Sequence, residues 1–349
     1  MSTARASKRG LPARNAVADW AHAPSTLRAV GREGPAPVAT IAITTFNRPD
    51  LLVEAVESAL AQDCAVPFEI AVFDNQPASR EWERLIERVP ALKEVDFRYW
   101  VHTENMGIFG NFNRCLELSR GEWITILSDD DLLEPDFLTT MFQEIRDRPE
   151  IEGLVCHKRT LDERGHKEPP RSRAHGLAMR VMYLAKFGWR RSRRITASKL
   201  FWWPGGVVGT PSGFMFRRSA AFEIGGFYPE ENMAADYWFY ARFAAGHHLR
   251  QHRAKLAVMR IGQNESANPA TLRAFLVWTH KLQQALTEQQ LPRWFRRFSP
   301  LILARQRAYQ RDFWKVDVPR EEVETMLGIR LTEDRPRLYK AIRLLFGGY

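Results

Sequence analysis

The feature that most constrains this chain is an alternation that runs from residue 38 to residue 146. Short apolar runs rich in β-branched residues occur at 38–45 (VATIAITT), 68–73 (FEIAVF), 97–101 (FRYWV) and 123–127 (WITIL), and 151–156 suggests a further strand. Runs of this length and composition suit buried strands. Between and after them, 50–62, 80–88, 106–119 and 132–146 read as helices; Pro49 favours the start of the first, and Asn47 is placed to cap it. Strands alternating with helices give an α/β fold, a mostly parallel sheet flanked by helices. In such sheets ligands bind beyond the carboxyl ends of the strands. The polar turns at Asn47, Asp74 and Asp129–Asp131 fall at that edge.

With 349 residues, 45% of them hydrophobic, the chain can bury a core of one large domain with appendages, or of two domains. Its formal charge of +10 favours anionic partners: nucleic acid, anionic lipid or phosphorylated substrates. Cys64, Cys115 and Cys156 are widely spaced and odd in number, which suggests neither a zinc ribbon nor a disulfide framework and fits a reducing, cytoplasmic compartment. No uncharged apolar run reaches the ~18 residues of a membrane span. Residues 1–37 carry Arg5, Lys8, Arg9, Arg14, Arg28 and Arg32 without a secretory apolar segment, and read as a flexible basic arm ending at Gly34-Pro35-Ala36-Pro37. Residues 266–349 read as a helical extension.

Asp129-Asp130-Asp131 is the sharpest chemical signal. Three adjacent carboxylates repel one another and need a cation or full solvation. At the end of a buried strand they suit a divalent ion bridging to phosphates. The plainer reading is a solvated acidic turn that caps the next helix. The first loop, Thr44-Thr45-Phe46-Asn47-Arg48-Pro49, lacks both the glycine-rich basic loop of a nucleotidyltransferase and the G-x-G-x-x-G of a nicotinamide-dependent enzyme.

The stretches TIAITTFNRPDLLVEAVESAL, IAVFDNQP and HTENMGIFGNFNRCLELSRGEWITILSDDDLLEPDFL resemble the nucleotide-sugar half of family-2 glycosyltransferases of the GT-A fold. PSGFMFRRSAAFEIGGFYPEENMAADYWFYARFA resembles their acceptor half. The resemblance implies a glycosyltransferase domain over 38–265, with the donor half at 38–136 and the acceptor half at 137–265. It implies inverting transfer from a UDP- or dTDP-sugar to a glycan or lipid-linked acceptor, assisted by Mg²⁺ or Mn²⁺. By position, Thr45 and Asn47 surround the nucleoside, Asp74 takes the base, and Asn105 and Gly107 lie near ribose and diphosphate. Asp129 contacts ribose or ion, Asp130 is the leading metal ligand, and Asp131 is either a second ligand or a scaffold acid. Asp236 stands where the family has its general base, a role that could coexist with capping its helix. Two departures stand out: Ala235 replaces the Glu that often precedes that Asp, and Met259-Arg260-Ile261-Gly262 lacks the His of an R-x-H segment. His247, His248 and His252 could substitute, although surface or core positions suit them better.

Between Pro169 and Phe222 the chain carries eleven Arg or Lys and no acid, interleaved with aromatics. Three readings stay open: a membrane surface or lipid-linked acceptor at the inner face of the membrane, a solvated face, and nucleic acid. Trp202-Trp203 reads either as a sugar platform or as core. The alternatives to an enzyme are a non-catalytic glycan-binding relative and a basic nucleic-acid-binding protein, which would give no reason for the acidic strand end.

Overall fold

In the computed structural model, which describes residues 14–163, 190–202, 210–262 and 268–346, the apolar runs form β2 (Ala39–Thr45), β3 (Phe68–Asp74), β4 (Phe97–His102) and β5 (Trp123–Ser128). They lie side by side as β4-β3-β2-β5, all parallel. Successive side chains of a strand point to opposite faces, so a sheet covered on both sides needs apolar residues at nearly every position. Ile41, Ile43, Ile70 and Val72 accordingly pack into one layer, with α1 (Pro49–Leu60), α2 (Glu81–Arg88) and α4 (Phe137–Asp147). Ala42, Ala71, Phe73, Ile124 and Ile126 pack into the other, with α3 (Gly107–Leu118) and the later helices.

The second half extends the sheet past β5. β9 (Phe214–Arg217) runs antiparallel to β5 and to β7 (Gly153–Asp162), and β10 (Leu249–Ile261) runs parallel to β7. β8 (Ser192–Arg194) pairs with the start of β10 and β6 (Leu132–Leu133) with its end. The helix expected over 132–146 therefore begins only at Phe137. Leu132 and Leu133 pair with Val258 and Ala257, a partnership from more than a hundred residues away that no local spacing announces. Asn47 does not cap α1 either: Arg48 holds the capping position, and Asn47 lies in the left-handed region at φ 54°.

The expected mobile arm is built into the fold from Arg14 onward. β1 (Ser25–Val30) pairs antiparallel with β4 and covers that edge of the sheet. Its anchor is the outer surface of α3. Buried Asn113 donates from Nδ2 to the carbonyls of Ala16 (3.2 Å) and Phe227 (2.7 Å) and accepts the Phe227 N–H (2.8 Å). Arg114 donates to the carbonyls of Trp20 and Ala23 at 2.8 and 2.7 Å. Gly226 makes this junction possible: its φ is 77°, and a Cβ there would stand 2.5 Å from the Asn113 Oδ1. Residues 1–13 lie outside the described residues.

Beyond β9 come α6 (Arg218–Glu223) and α7 (Ala235–Gly246), and before it α5 (Ala197–Trp202). The C-terminal region is helical, with α8 (Pro269–Gln289), α9 (Ser299–Tyr309), α10 (Arg320–Leu327) and α11 (Pro336–Phe346). It closes over α7 through the Trp238–Trp278 and Tyr237–Phe275 ring pairs and over α5 through Trp202 and Tyr339. Among the described residues no helix is long and apolar enough to cross a membrane.

Asn113→Ala would strand several buried backbone groups, at ~1–3 kcal/mol for each. Chemical denaturation should show a loss of about 3 kcal/mol by the same reckoning; a loss within error of zero would contradict the anchoring role.

Candidate active site at the carboxyl edge of the sheet

Thr45 at the end of β2 stands opposite Asp74 at the end of β3, and Thr44 stands opposite Ser128 at the end of β5. The next residues are tied back at the same level: the Asn75 N–H donates to the Thr45 carbonyl at 3.0 Å and the Asp129 N–H to the Thr44 carbonyl at 3.1 Å. The chain thus leaves three neighbouring strands at one edge, and the polar residues collect there.

Asp129 is buried and accepts the Thr45 hydroxyl at 2.8 Å and the Phe46 N–H at 3.4 Å. Arg48 Nη1 lies 3.4 Å from Asp129 Oδ1 and 3.1 Å from Asp130 Oδ2, so the two carboxylates converge on one cation position. Asp130 is the more exposed of the pair, at 16% against 7%. Asp131 points elsewhere. It accepts the Arg260 N–H at 3.0 Å and the Thr210 hydroxyl at 3.1 Å, while Arg260 Nε donates to the Asp130 carbonyl at 3.1 Å and its guanidinium pairs with Glu54 and Glu163. Asp131 therefore sits as a brace between β5 and β10. Burial raises Asp129 and Asp131 to about 6; Thr45 and Arg48 oppose the rise at Asp129, and the neighbouring charge of Asp130 adds to it at both.

The second cluster joins the loops after β3 and β4. Asp74 is buried, accepts the Tyr99 hydroxyl at 2.8 Å and the Gln76 N–H at 2.9 Å, and is raised by burial against its bonds with Ser79, Gln76 and Tyr99. Asn75 donates to Asn105 Oδ1 at 2.8 Å and the Gly107 carbonyl at 3.2 Å, and accepts the Met106 N–H at 2.9 Å. Asn105 also accepts the Gly107 N–H at 2.8 Å, with Gly107 at φ 67° and open space where a Cβ would be. Each of the three loops holds one left-handed residue: Asn47 (φ 54°), Ala78 (φ 56°) and Gly107. Left-handed non-glycine residues concentrate where a site over-determines the backbone.

Asp236 lies half-buried in the first turn of α7, accepts the Tyr237 N–H at 2.6 Å, and is raised by burial to about 7. Lys158 of β7 is within electrostatic range of both Asp131 and Asp236 and is itself lowered by burial to about 8. Its ammonium donates to the Thr210 carbonyl and, at 3.1 Å, to the Thr210 hydroxyl that in turn reaches Asp131. The charge of Lys158 thus acts on both the acidic strand end and Asp236.

As a test of metal fit, Asp129 and Asp130 offer hard carboxylate oxygens around the point where Arg48 Nη1 stands, a donor set suited to Mg²⁺ or Mn²⁺ completed by phosphate oxygens. Among the described residues no three His, Cys, Asp or Glu side chains gather into a self-sufficient cage. Of the three candidate histidines, His247 and His252 are placed away from this edge. His252 pairs near the start of β10 and Arg260 near its end, a separation of about 25 Å at the usual strand rise. His247 bonds Glu152 at 3.1 Å and packs on Phe243.

The described cations of the acid-free segment divide: Lys199 is buried on Gln251 (2.8 Å) and Arg218 binds the carbonyls that end α3, Arg217 pairs with Glu122, and Arg190, Arg191 and Arg194 are exposed, Arg191 in a surface pair with Asp147 (3.0 Å). Trp202 is fully buried core; Trp203 and residues 164–189 lie outside the described residues. Arg48, Asn75, Lys158, Thr210 and Arg260 were not singled out as site residues from sequence, because their partners are distant in the chain or they occupy ordinary loop and strand positions.

The family model described as Glycosyl transferase family 2 matches residues 40–225. The putative colanic acid biosynthesis glycosyl transferase WcaA of Escherichia coli is 33% identical over 103 residues, 30% of this chain and 36% of that protein. The GalNAc(5)-diNAcBac-PP-undecaprenol beta-1,3-glucosyltransferase of Campylobacter jejuni is 32% identical over 110 residues, 31% of this chain and 34% of that protein. The chain thus spans about a third of the length of these relatives. Residues 1–349 of TarS from S. aureus, in complex with UDP-GlcNAc, superpose with a TM-score of 0.53 at 14% identity, over 79% of this chain and 73% of that one. This last likeness is one of fold.

A carboxyl raised in the folded state holds its proton more tightly there than in the unfolded chain. Its contribution to stability is full below about pH 4 and is lost as pH rises through about 6. Asp129→Asn should therefore gain stability relative to the wild type between pH 4 and pH 7 in denaturant titrations; parallel profiles would show that Asp129 is not the titrating group.

Proposed function

This chain belongs to glycosyl transferase family 2, and on that premise we propose that it transfers a sugar, with inversion, from a UDP- or dTDP-linked donor to a hydroxyl of a glycan or lipid-linked acceptor. The observation that carries the proposal is the convergence of Asp129 and Asp130 on one cation position at the carboxyl edge, beside an Asp131 that Thr210 ties to Lys158. The WcaA and Campylobacter relatives are named for polysaccharide and undecaprenyl-linked glycan synthesis, and the fold neighbour binds UDP-GlcNAc. A cytoplasmic location at the inner face of the membrane follows from such an acceptor.

The donor lies across the ends of β2, β3 and β5. Thr45 and Asn47 border the nucleoside, and Asp74 takes the base imide with the acceptor capacity that its three bonds leave on a carboxylate. The Asn75–Asn105–Gly107 network holds the loop beside ribose and diphosphate, where a glycine allows close backbone approach. Asp130 and Asp129 would hold the divalent ion, with Asp131 as their brace; when bound, the ion supplies positive charge against the diphosphate leaving group. Asp236 takes the proton of the acceptor hydroxyl as that oxygen bonds to the anomeric carbon and the carbon–diphosphate bond breaks, its electron pair leaving with the diphosphate. Burial raises Asp236 to about 7, close to what a general base needs at neutral pH, and the Lys158 ammonium favours its charged form. A single displacement needs no covalent enzyme intermediate.

Asp236→Asn should lower the turnover of UDP- or dTDP-sugars by about 10²–10⁴-fold, the range for a lost general base, with UDP binding retained by calorimetry. An unchanged turnover would remove Asp236 from the mechanism.

A further inference from the structure

Two acid-free cationic stretches remain in the C-terminal extension after the site is accounted for. Residues 289–311 hold six arginines, and residues 335–349 hold four Arg or Lys. Several pair with acids outside their own stretch: Arg296 with Glu288, Arg305 with Asp334, Arg307 with Asp317 and Arg335 with Glu333. Arg293, Arg297, Arg337 and Lys340 are exposed, and among the described residues none of them has a carboxylate partner.

The two stretches meet. Trp294 and Arg297 belong to the turn Arg293–Phe298, whose Phe298 ring lies 5.0 Å from Trp202. Tyr339 of α11 lies 6.2 Å from the same indole and donates to the Trp202 carbonyl. The turn and the helix therefore pack on the same buried indole. Exposed apolar groups accompany the cations there: Trp294 is 39% and Leu338 43% accessible. The patch also borders the acceptor end, since Tyr237, next to Asp236, donates its hydroxyl to the Leu200 carbonyl two residues before Trp202.

We infer that this end of the C-terminal extension docks on an anionic lipid bilayer. Cations without carboxylate partners match a negative surface potential, and an indole and an isobutyl group beside them suit the headgroup–acyl boundary. A polyphosphate strand would satisfy the cations and leave Leu338 unexplained. In the acid-free segment, by contrast, Lys199, Arg217 and Arg218 are committed to partners within the protein. The inference deepens the reading of a lipid-linked acceptor at the membrane, and it rests on that reading only for its purpose.

The test is flotation of the full chain, without donor, on vesicles of phosphatidylcholine alone and of equimolar phosphatidylcholine and phosphatidylglycerol. Wild type should float with the anionic vesicles only. The Arg293→Glu/Arg297→Glu pair should weaken partition at least about 25-fold, about fivefold per removed cation at ~1 kcal/mol each. Arg337→Glu/Lys340→Glu, on the exposed face of α11, gives an independent variant should the first fail to fold, and Trp294→Ser should weaken binding to the anionic vesicles. Equal flotation on the two vesicle types, double variants that float as wild type does, or displacement of the protein from anionic vesicles by equal phosphate in duplex DNA would overturn the inference. Calorimetry with UDP on the same samples reads the donor site separately, so a failure there would leave the vesicle result standing.

Discussion

The parallel register of β2 between β3 and β5, with Thr45 opposite Asp74 and Thr44 opposite Ser128, is the constraint on which the site depends. A slip of one residue would exchange the two faces of β2 and move Ile41 and Ile43 out of their layer. Core burial thus fixes the level at which three loops leave the sheet. The two ends of these strands differ in kind. At the amino end, Glu69 is fully buried and bonded to the Thr40 hydroxyl at 2.7 Å and to the Arg120 backbone N–H and guanidinium at 2.6 Å each, an acid neutralised in place. At the carboxyl end, Asp129 and Asp131 are held without full compensation and rise to about 6. Uncompensated acids at a ligand edge mark function more than stability.

The two halves of the molecule are joined at that same edge. β10 delivers Arg260 to Asp131 and to the Asp130 carbonyl, β7 delivers Lys158, and the segment before β9 delivers Thr210. Carboxylates from the first half are thereby positioned by groups from the second, and Asp236 comes within range of the same lysine. On the far side of α3, Asn113 and Arg114 lock the N-terminal segment and the Phe227 turn against the helix whose first turn carries Gly107. The loops at the carboxyl edge and the helix that carries Asp236 rest on shared supports.

The four parallel strands and the edge where their loops gather were legible because each run is continuously apolar and ends in polar residues. Asp129, Asp130 and Asp74 could be placed at that edge for the same reason. Leu132 and Leu133 were not legible as a strand, since their partners are Val258 and Ala257. β1 hid inside a basic arm because its half-buried alternation, Ser25, Leu27 and Ala29 inward, is short and carries only one large apolar residue on that face. Arg48 reads as a loop cation and Lys158 as a strand residue until folding brings acids to them. The distinct orientation of Asp131 depends on β10 and has no signature within three adjacent aspartates.

The central claim is that Asp129 and Asp130 form the cation-dependent donor site. Its most direct test is calorimetric titration of UDP and of dTDP, each with and without Mn²⁺, into wild type and Asp130→Ala. The account predicts Mn²⁺-dependent binding of a nucleoside diphosphate by the wild type and its loss in the variant. Binding that is equally tight with and without Mn²⁺, or equally tight in Asp130→Ala, would contradict it.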